Sequence, residues 1–168
     1  NSWQIVREFV SNALDAVGGE PSRIHISEEQ GYINIADDGD GFPIVYAKRI
    51  GASSSKSDND RIGQFGEGSK MAILTCVRQG IEVRLASQDW LIIPRVVTVE
   101  ENLKVMVFDI YKSDMNINGT LVSIEVSSEI KDLLEMRADY FLHFNHTSPL
   151  ISTADGSLYA GKTQNKVY

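Results

Sequence analysis

Between Trp3 and Val17 (WQIVREFVSNALDAV) apolar residues recur with helical spacing, and Val6, Phe9, Val10, Ala13, Leu14 and Val17 share one side. At about 100° per residue, Glu8, Asn12 and Asp15 fall within one narrow sector on the other side. The pattern predicts an amphipathic helix that turns its apolar stripe to a core and aligns a carboxylate, an amide and a second carboxylate along one groove. A merely wet face mixes in Lys, Arg or Gln. Short acidic and amide groups at i, i+4 and i+7 point instead to a row that faces a ligand. Gly18-Gly19 then ends the helix.

Arg23 to Glu28 (RIHISE) and Tyr32 to Ala36 (YINIA) alternate apolar and polar residues around Glu29-Gln30-Gly31, which predicts a hairpin. Ile44 to Ile50 suits a short helix, and Met71 to Arg78 an apolar one closed by Gly80. From Ile81 the period changes to two: IEVRLAS, LIIPRVVTVE, LKVMVFDIY and LVSIEV, parted by Gln88-Asp89, Glu101-Asn102 and Ser113 to Gly119. Strands joined by short polar turns predict an antiparallel meander, with Pro94 confining its strand to an edge or a bulge. Ser127 to Leu142 returns to helix, with Ser128 as its cap.

The candidate chemistry lies at the ends of these elements. Asp37-Asp38-Gly39-Asp40-Gly41-Phe42-Pro43 follows the second strand directly. Gly39 and Gly41 permit a tight turn and close approach of backbone to a ligand, while Asp37 is a fixed acceptor at the strand end. A plain acidic turn fits equally well. A calcium loop does not, because it wants a Glu about six residues beyond its glycine, where this chain has Val45. Residues 51–60 (GASSSKSDND) are small, polar and unpatterned, as in a mobile loop. They lead to Ile62-Gly63-Gln64-Phe65-Gly66-Glu67-Gly68-Ser69-Lys70, three glycines immediately before a helix. Such glycines leave N–H groups unshielded at the helix's positive end, a seat for phosphate oxygens. Gly119-Thr120 stands at the mouth of the last strand, where a hydroxyl could reach the same ligand as Asp37; an ordinary turn threonine is the alternative.

Composition narrows the partners. The 168 residues, 42% hydrophobic, suffice for one domain with a real core. Asn1 opens almost directly into helix and Val167-Tyr168 reads like the start of a strand, so residues 1–168 are expected to be a single domain cut from a longer protein. A formal charge of −7 argues against a nucleic-acid groove or an anionic membrane as the main partner of this domain, since both need clustered Lys and Arg. No run approaches the roughly 18 apolar residues of a membrane span, and no signal segment opens the chain. The single Cys76 sits in an apolar helical run and reads as a small core residue, which suits a reducing cytoplasm. His25 has no second His or Cys nearby to make a metal site. Gly156-Ser157-Leu158-Tyr159-Ala160-Gly161-Lys162-Thr163 matches the letters of the Walker A loop, G-x-x-x-x-G-K-[ST]. That loop needs a buried strand before it and a helix after it, and here a polar stretch precedes and five residues follow.

Four segments in order resemble the GHKL superfamily of ATPases, which includes type II topoisomerase ATPase subunits, mismatch-repair ATPases, the large heat-shock chaperones and, more distantly, histidine kinases. Glu8-x-x-x-Asn12-x-x-Asp15-Ala16 is similar to the family's N box, Asp37-x-Gly39-x-Gly41 to its adenine-binding box, Gly63-x-x-Gly66-x-Gly68 to its lid glycines, and Gly119-Thr120 to its closing motif. IGQFGEG most resembles the chaperone and MORC-type lids.

The resemblance implies a Bergerat α/β (α+β) two-layer sandwich, a mixed, mainly antiparallel sheet covered on one face by helices, binding ATP with Mg²⁺. Asn12 would coordinate Mg²⁺. Asp37 would accept from the adenine amino group, helped by Thr120. The N–H groups around Gly66 and Gly68, with Ser69 and Lys70, would hold the phosphates, and Asp15 would support the site by hydrogen bonding. Glu8 would be the general base that activates the attacking water. A carboxylate there favours hydrolysis over the phosphoryl transfer of histidine kinases, which usually carry another group. Lys70 or Lys56 would replace the γ-phosphate lysine that hydrolytic relatives borrow from a following domain. Slow hydrolysis and ATP-driven lid closure with homodimerisation of the longer protein are expected. A protein kinase of the same fold and a nucleotide sensor without turnover are the alternatives.

Overall fold

The computed structural model describes residues 1–47, 67–144, 151–153, 156–159 and 166–167. The first element is α1 (Ser2–Ala16), capped by Asn1, whose side chain accepts from the Gln4 N–H at 3.0 Å. It ends where Gly18 and Gly19 take φ of 65° and 83°, with the Gly19 N–H returning to the Leu14 carbonyl at 2.8 Å. Ile5, Val6, Phe9, Val10, Ala13 and Leu14 bury the stripe that the spacing predicts.

β1 (Ile24–Glu29) and β2 (Tyr32–Asp37) pair antiparallel around Gln30-Gly31, both with positive φ, as a two-residue hairpin turn prefers. β4 (Leu103–Glu125) lies between β2 and β3 (Val83–Glu100), giving a four-stranded sheet in the order β1-β2-β4-β3 with every pair antiparallel. Pro94 accordingly sits on an edge strand, where its missing N–H costs no ladder bond to a further neighbour.

Two turns expected from the sequence are not turns. Gln88-Asp89 and Ser113 to Gly119 face each other inside one long hairpin. From Ser87 to Trp90 the partners on β4 run from Thr120 back to Lys112, so the surplus of β4 is taken up in a wide bulge. Gln88 adopts φ 52° there. Polar residues interrupted the alternation without ending either strand, and one hairpin replaces the meander.

On the core face of the sheet, Ile33, Ile124 and Val83 form one cross-strand row, and Ile35, Val122 and Leu85 the next. α1 covers these rows together with α3 (Glu67–Gln79), and α4 (Ser128–Glu135) flanks α1. Cys76 of α3 is fully buried, and burial pushes its thiol up to about 12, so it stays a protonated core group. α2 (Ile44–Ala47) is the described part of the helix expected over Ile44 to Ile50. The cap of α4 is Ser127, whose hydroxyl accepts from the Ile130 N–H at 3.3 Å, not Ser128; Met136 parts α4 from α5 (Arg137–Tyr140).

The Walker-like letters begin in β6 (Gly156–Tyr159), which pairs with β5 (Ile151–Thr153) on one side and β7 (Lys166–Val167) on the other. Residues 156–159 are therefore strand where a phosphate loop would need bare N–H groups, and residues 160–165 lie outside the described part. Among the described residues no helix is long and apolar enough to cross a membrane.

Candidate functional site

The two apolar rows of the sheet give way to a polar third. Asp37 ends β2, and Thr120 of β4 lies opposite Ser87 of β3. Asp37 is 7% exposed. The Gly39 N–H donates to its Oδ1 at 3.0 Å and the Thr120 N–H to the same oxygen at 3.3 Å. The Thr120 hydroxyl bonds the carboxylate as well, and convergence of the two N–H groups on Oδ1 leaves the second oxygen for whatever enters beside it. Burial pushes the Asp37 carboxyl above the ordinary carboxylate value, against the pull of those N–H groups.

Over this end of the sheet lies α1. Phe9, Asn12, Ala13 and Ala16 close a cavity of ≈ 20 Å³ against Ile35, Asp37, Thr120 and Val122. It has apolar walls and one carboxylate on its floor, and at that size it holds no more than a water molecule or so. A flat, mostly apolar ring with an amino group is the kind of ligand that such walls and acceptor suit, entering from the open side.

Asn12 also reaches the other way, its Nδ2 donating to the Ser69 hydroxyl at 2.6 Å. Ser69 is buried in the first turn of α3. Gly68, beside it, has no room for a side chain, because a Cβ there would strike Glu8 Oε2. The other oxygen of Glu8 pairs with Arg7. α1 and α3 thus meet so that Glu8, Asn12, Gly68 and Ser69 surround the N-terminal end of α3, where N–H groups without helical partners face outward. The expectation placed Gly68, Ser69 and Lys70 ahead of this helix, but α3 begins at Glu67 and takes all three into its first turn. Lys70 is half-buried and makes no ion pair among the described residues.

Asp15 is exposed, lines no part of the cavity, and makes no side-chain hydrogen bond among the described residues. It shares the azimuth of Glu8 and Asn12 but lies beyond the reach of Ser69. Gly63, Gly66 and Lys56 lie outside the described residues. His25 is exposed on β1, and among the described residues no three His, Cys, Asp or Glu side chains gather as a metal cluster.

Two side chains, Ser87 and Trp90, shape the site without a role read from the sequence. The buried Ser87 hydroxyl donates to the Gly119 carbonyl at 2.6 Å and accepts from the Phe42 N–H at 3.1 Å, while Trp90 Nε1 donates to the Phe42 carbonyl at 2.9 Å. These bonds tie the turn after Asp37 to the bulge, and the Phe42 and Trp90 rings pack 4.6 Å apart. Ser87 was findable as the next inward position after Val83 and Leu85.

Gly119 is the tightest point of this lock. Its φ is 76°, and a Cβ would run into the Asp37 backbone carbonyl and lie 2.7 Å from its Oδ1. Gly119→Ala is expected to cost about 2–4 kcal/mol, through left-handed strain and overpacking together, and to lower Tm by several degrees. Gly80→Ala is the control: φ is 70° but nothing lies within 4 Å of the added methyl, so only the strain remains. Thermal melts in which the two variants fall equally would show that Gly119 holds no special contact.

A sequence model described as "Histidine kinase-, DNA gyrase B-, and HSP90-like ATPase" matches residues 3–101 of the 168. A search of curated proteins found no match.

Proposed function

Because this chain belongs to the histidine kinase-, DNA gyrase B- and HSP90-like family of ATPases, whose domain binds ATP, we propose that it holds Mg·ATP between Asp37 and the start of α3 and hydrolyses it slowly with Glu8 as base. The observation that supports this most is the double engagement of Asn12. It lines the small cavity floored by Asp37 and also bonds Ser69 in the first turn of α3, so one side chain joins a mostly apolar pocket with a carboxylate acceptor to an anion-friendly helix end.

The residues present fit the ligand set. Asp37 takes the adenine amino group, Thr120 assists, and Gly39 and Gly41 keep the backbone bare beside it: a Cβ on Gly39 would lie 2.7 Å from the Ala16 carbonyl, and one on Gly41 2.5 Å from the Ser87 hydroxyl. With Nδ2 given to Ser69, Asn12 keeps its carbonyl oxygen for the cation, the hard oxygen ligand that Mg²⁺ prefers. When bound, Mg²⁺ neutralises charge on the phosphates. The N–H groups of the first turn of α3 take the phosphate oxygens, and Gly63 and Gly66 would add theirs, as the family resemblance implies. Glu8 orients and deprotonates the attacking water. Lys70 in the first turn of α3 is the lysine available for the γ-phosphate, with Lys56 the alternative that the sequence offers, and Asp15 acts at most through hydrogen bonding. Closure of the glycine-containing lid ahead of α3 over the phosphates and ATP-dependent homodimerisation of the longer protein complete the cycle.

Phosphate release from Mg·ATP tests the reading. Steady release that depends on Mg²⁺ is expected; labelled phosphate appearing on a protein would make it a kinase, and tight ADP binding without turnover a sensor. The Ser69 hydroxyl gives a separate check. Ser69→Ala frees the Asn12 amide to rotate, and is expected to weaken the Mg²⁺-dependent part of ATP-analogue affinity about 3- to 10-fold, the worth of one lost hydrogen bond. Affinity measured without Mg²⁺ should stay as it was. Equal losses with and without the metal would mean that Ser69 serves the nucleotide directly.

A further inference from the structure

The outward face of the sheet turns from polar to apolar along the β3–β4 hairpin. Farther from the bulge, the solvent side of the sheet is polar, where Arg84 Nη2 donates to the Tyr32 hydroxyl at 2.8 Å and the Ser123 hydroxyl to Asn34 Oδ1 at 2.7 Å; the row next to the bulge is Ala36, Leu121 and Ala86. Beyond it, Trp90 and Ile92 point to the core, fully buried, with Phe108 and Ile110 packed against the same cluster. By strand alternation the opposite side carries Leu91, Ile93, Val97, Val105, Val107 and Tyr111, with Arg95 and Asp109 among them. Tyr111 is 50% exposed, and Leu91, Ile93, Val97, Val105 and Val107 are half-buried. An antiparallel sheet with water on one side alternates apolar-in and polar-out; a ribbon apolar on both sides is one that something covers.

The charges on this face say what fits. Arg95 Nε lies 2.5 Å from Asp109 Oδ2, one cation and one anion side by side amid apolar residues. On the strands of this face Arg95 and Asp109 are the two charges, one of each sign, in a chain whose net charge is −7. Two copies of so acidic a molecule repel each other except through a neutral patch, and this ribbon is neutral. A face bearing one charge of each sign near its centre is complementary to itself under a two-fold rotation, which sets each Arg95 against the partner's Asp109.

We propose that this ribbon face docks on the same face of a second copy of the chain, in a two-fold dimer that forms without nucleotide. The proposal is independent of the ATP-binding reading. Two strands some seven residues long offer on the order of 300 Å² per copy, at the weak end for a specific interface, so the dimer dissociates in the range of about 100 μM.

The test is sedimentation equilibrium of the nucleotide-free protein from about 10 μM to about 1 mM, with Arg95→Asp and Asp109→Arg made separately. Each variant alone places four like charges at the two-fold, and its self-association should weaken at least about tenfold. Mixing the two should restore association, because every charge then meets its opposite. Exposed pairs contribute little to folding, and a thermal melt confirms that both variants fold. A wild-type protein that stays monomeric throughout this range, or a mixture that associates no better than its parts, overturns the proposal. A dimer indifferent to both substitutions overturns it too, since another surface would then be responsible.

Discussion

Replacing Asp37 by Asn is expected to abolish most of the ATP affinity while leaving the fold at least as stable as before. Asn keeps a carbonyl oxygen in the place of Oδ1, so the Gly39 and Thr120 N–H groups retain their acceptor. In the place of the second oxygen it presents an NH₂ group, which meets the adenine amino donor with another donor. A charge-assisted hydrogen bond is lost and an unpaired group is left in its place, a loss on the order of 10- to 150-fold in affinity. Stability moves the other way. Burial raises the Asp37 carboxyl above its ordinary value, so the folded chain holds this proton more tightly than the unfolded chain does. The associated stability is complete below the ordinary carboxylate value and is lost as pH rises through the raised one. Asn cannot ionise, and melts of the variant should show no such loss across that window. Unchanged affinity with lowered Tm would assign Asp37 to the turn and not to the ligand.

Glu8→Gln separates binding from chemistry. Gln fills the same space against Gly68 and can still accept from Arg7, so helix packing and nucleotide affinity should stay within about twofold, well under the tenfold that 1.4 kcal/mol represents. The amide cannot take a proton from water, and removing a positioned general base typically costs 10²–10⁴-fold in rate. Phosphate release should therefore fall by roughly that factor while calorimetry reports normal binding. Release that persists at the wild-type rate would move the base elsewhere; loss of binding along with rate would make Glu8 part of the nucleotide seat.

The helical period of Trp3 to Val17 specified the azimuth of Glu8, Asn12 and Asp15 correctly but not their surroundings. Azimuth says which side of a helix a residue is on; how far a neighbouring helix extends along it depends on tertiary packing. The first turn of α3 covers Glu8 and Asn12 and leaves Asp15 in water. The acidic turn was legible because Asp37 follows an alternating strand directly, and its two glycines prove to be places where a Cβ would strike Ala16 or Ser87. The bulge was not legible. Gln88-Asp89 and Ser113 to Gly119 carry the composition of turns, and only cross-strand register shows that they oppose each other. Ser87 could be placed inward by counting on from Val83 and Leu85, but its bond to Phe42, like that of Trp90, depends on the bulge. The start of α3 was misplaced by four residues because glycine and serine weaken helical propensity, and the contacts with α1 override it.

Calorimetric titration of the wild-type protein with a non-hydrolysable ATP analogue, with and without Mg²⁺, tests the central claim most directly. One saturable site whose affinity rises when Mg²⁺ is present is expected, with a large loss of that affinity in Asp37→Asn. No saturable heat with the wild-type protein, or the same isotherm from Asp37→Asn, would contradict it.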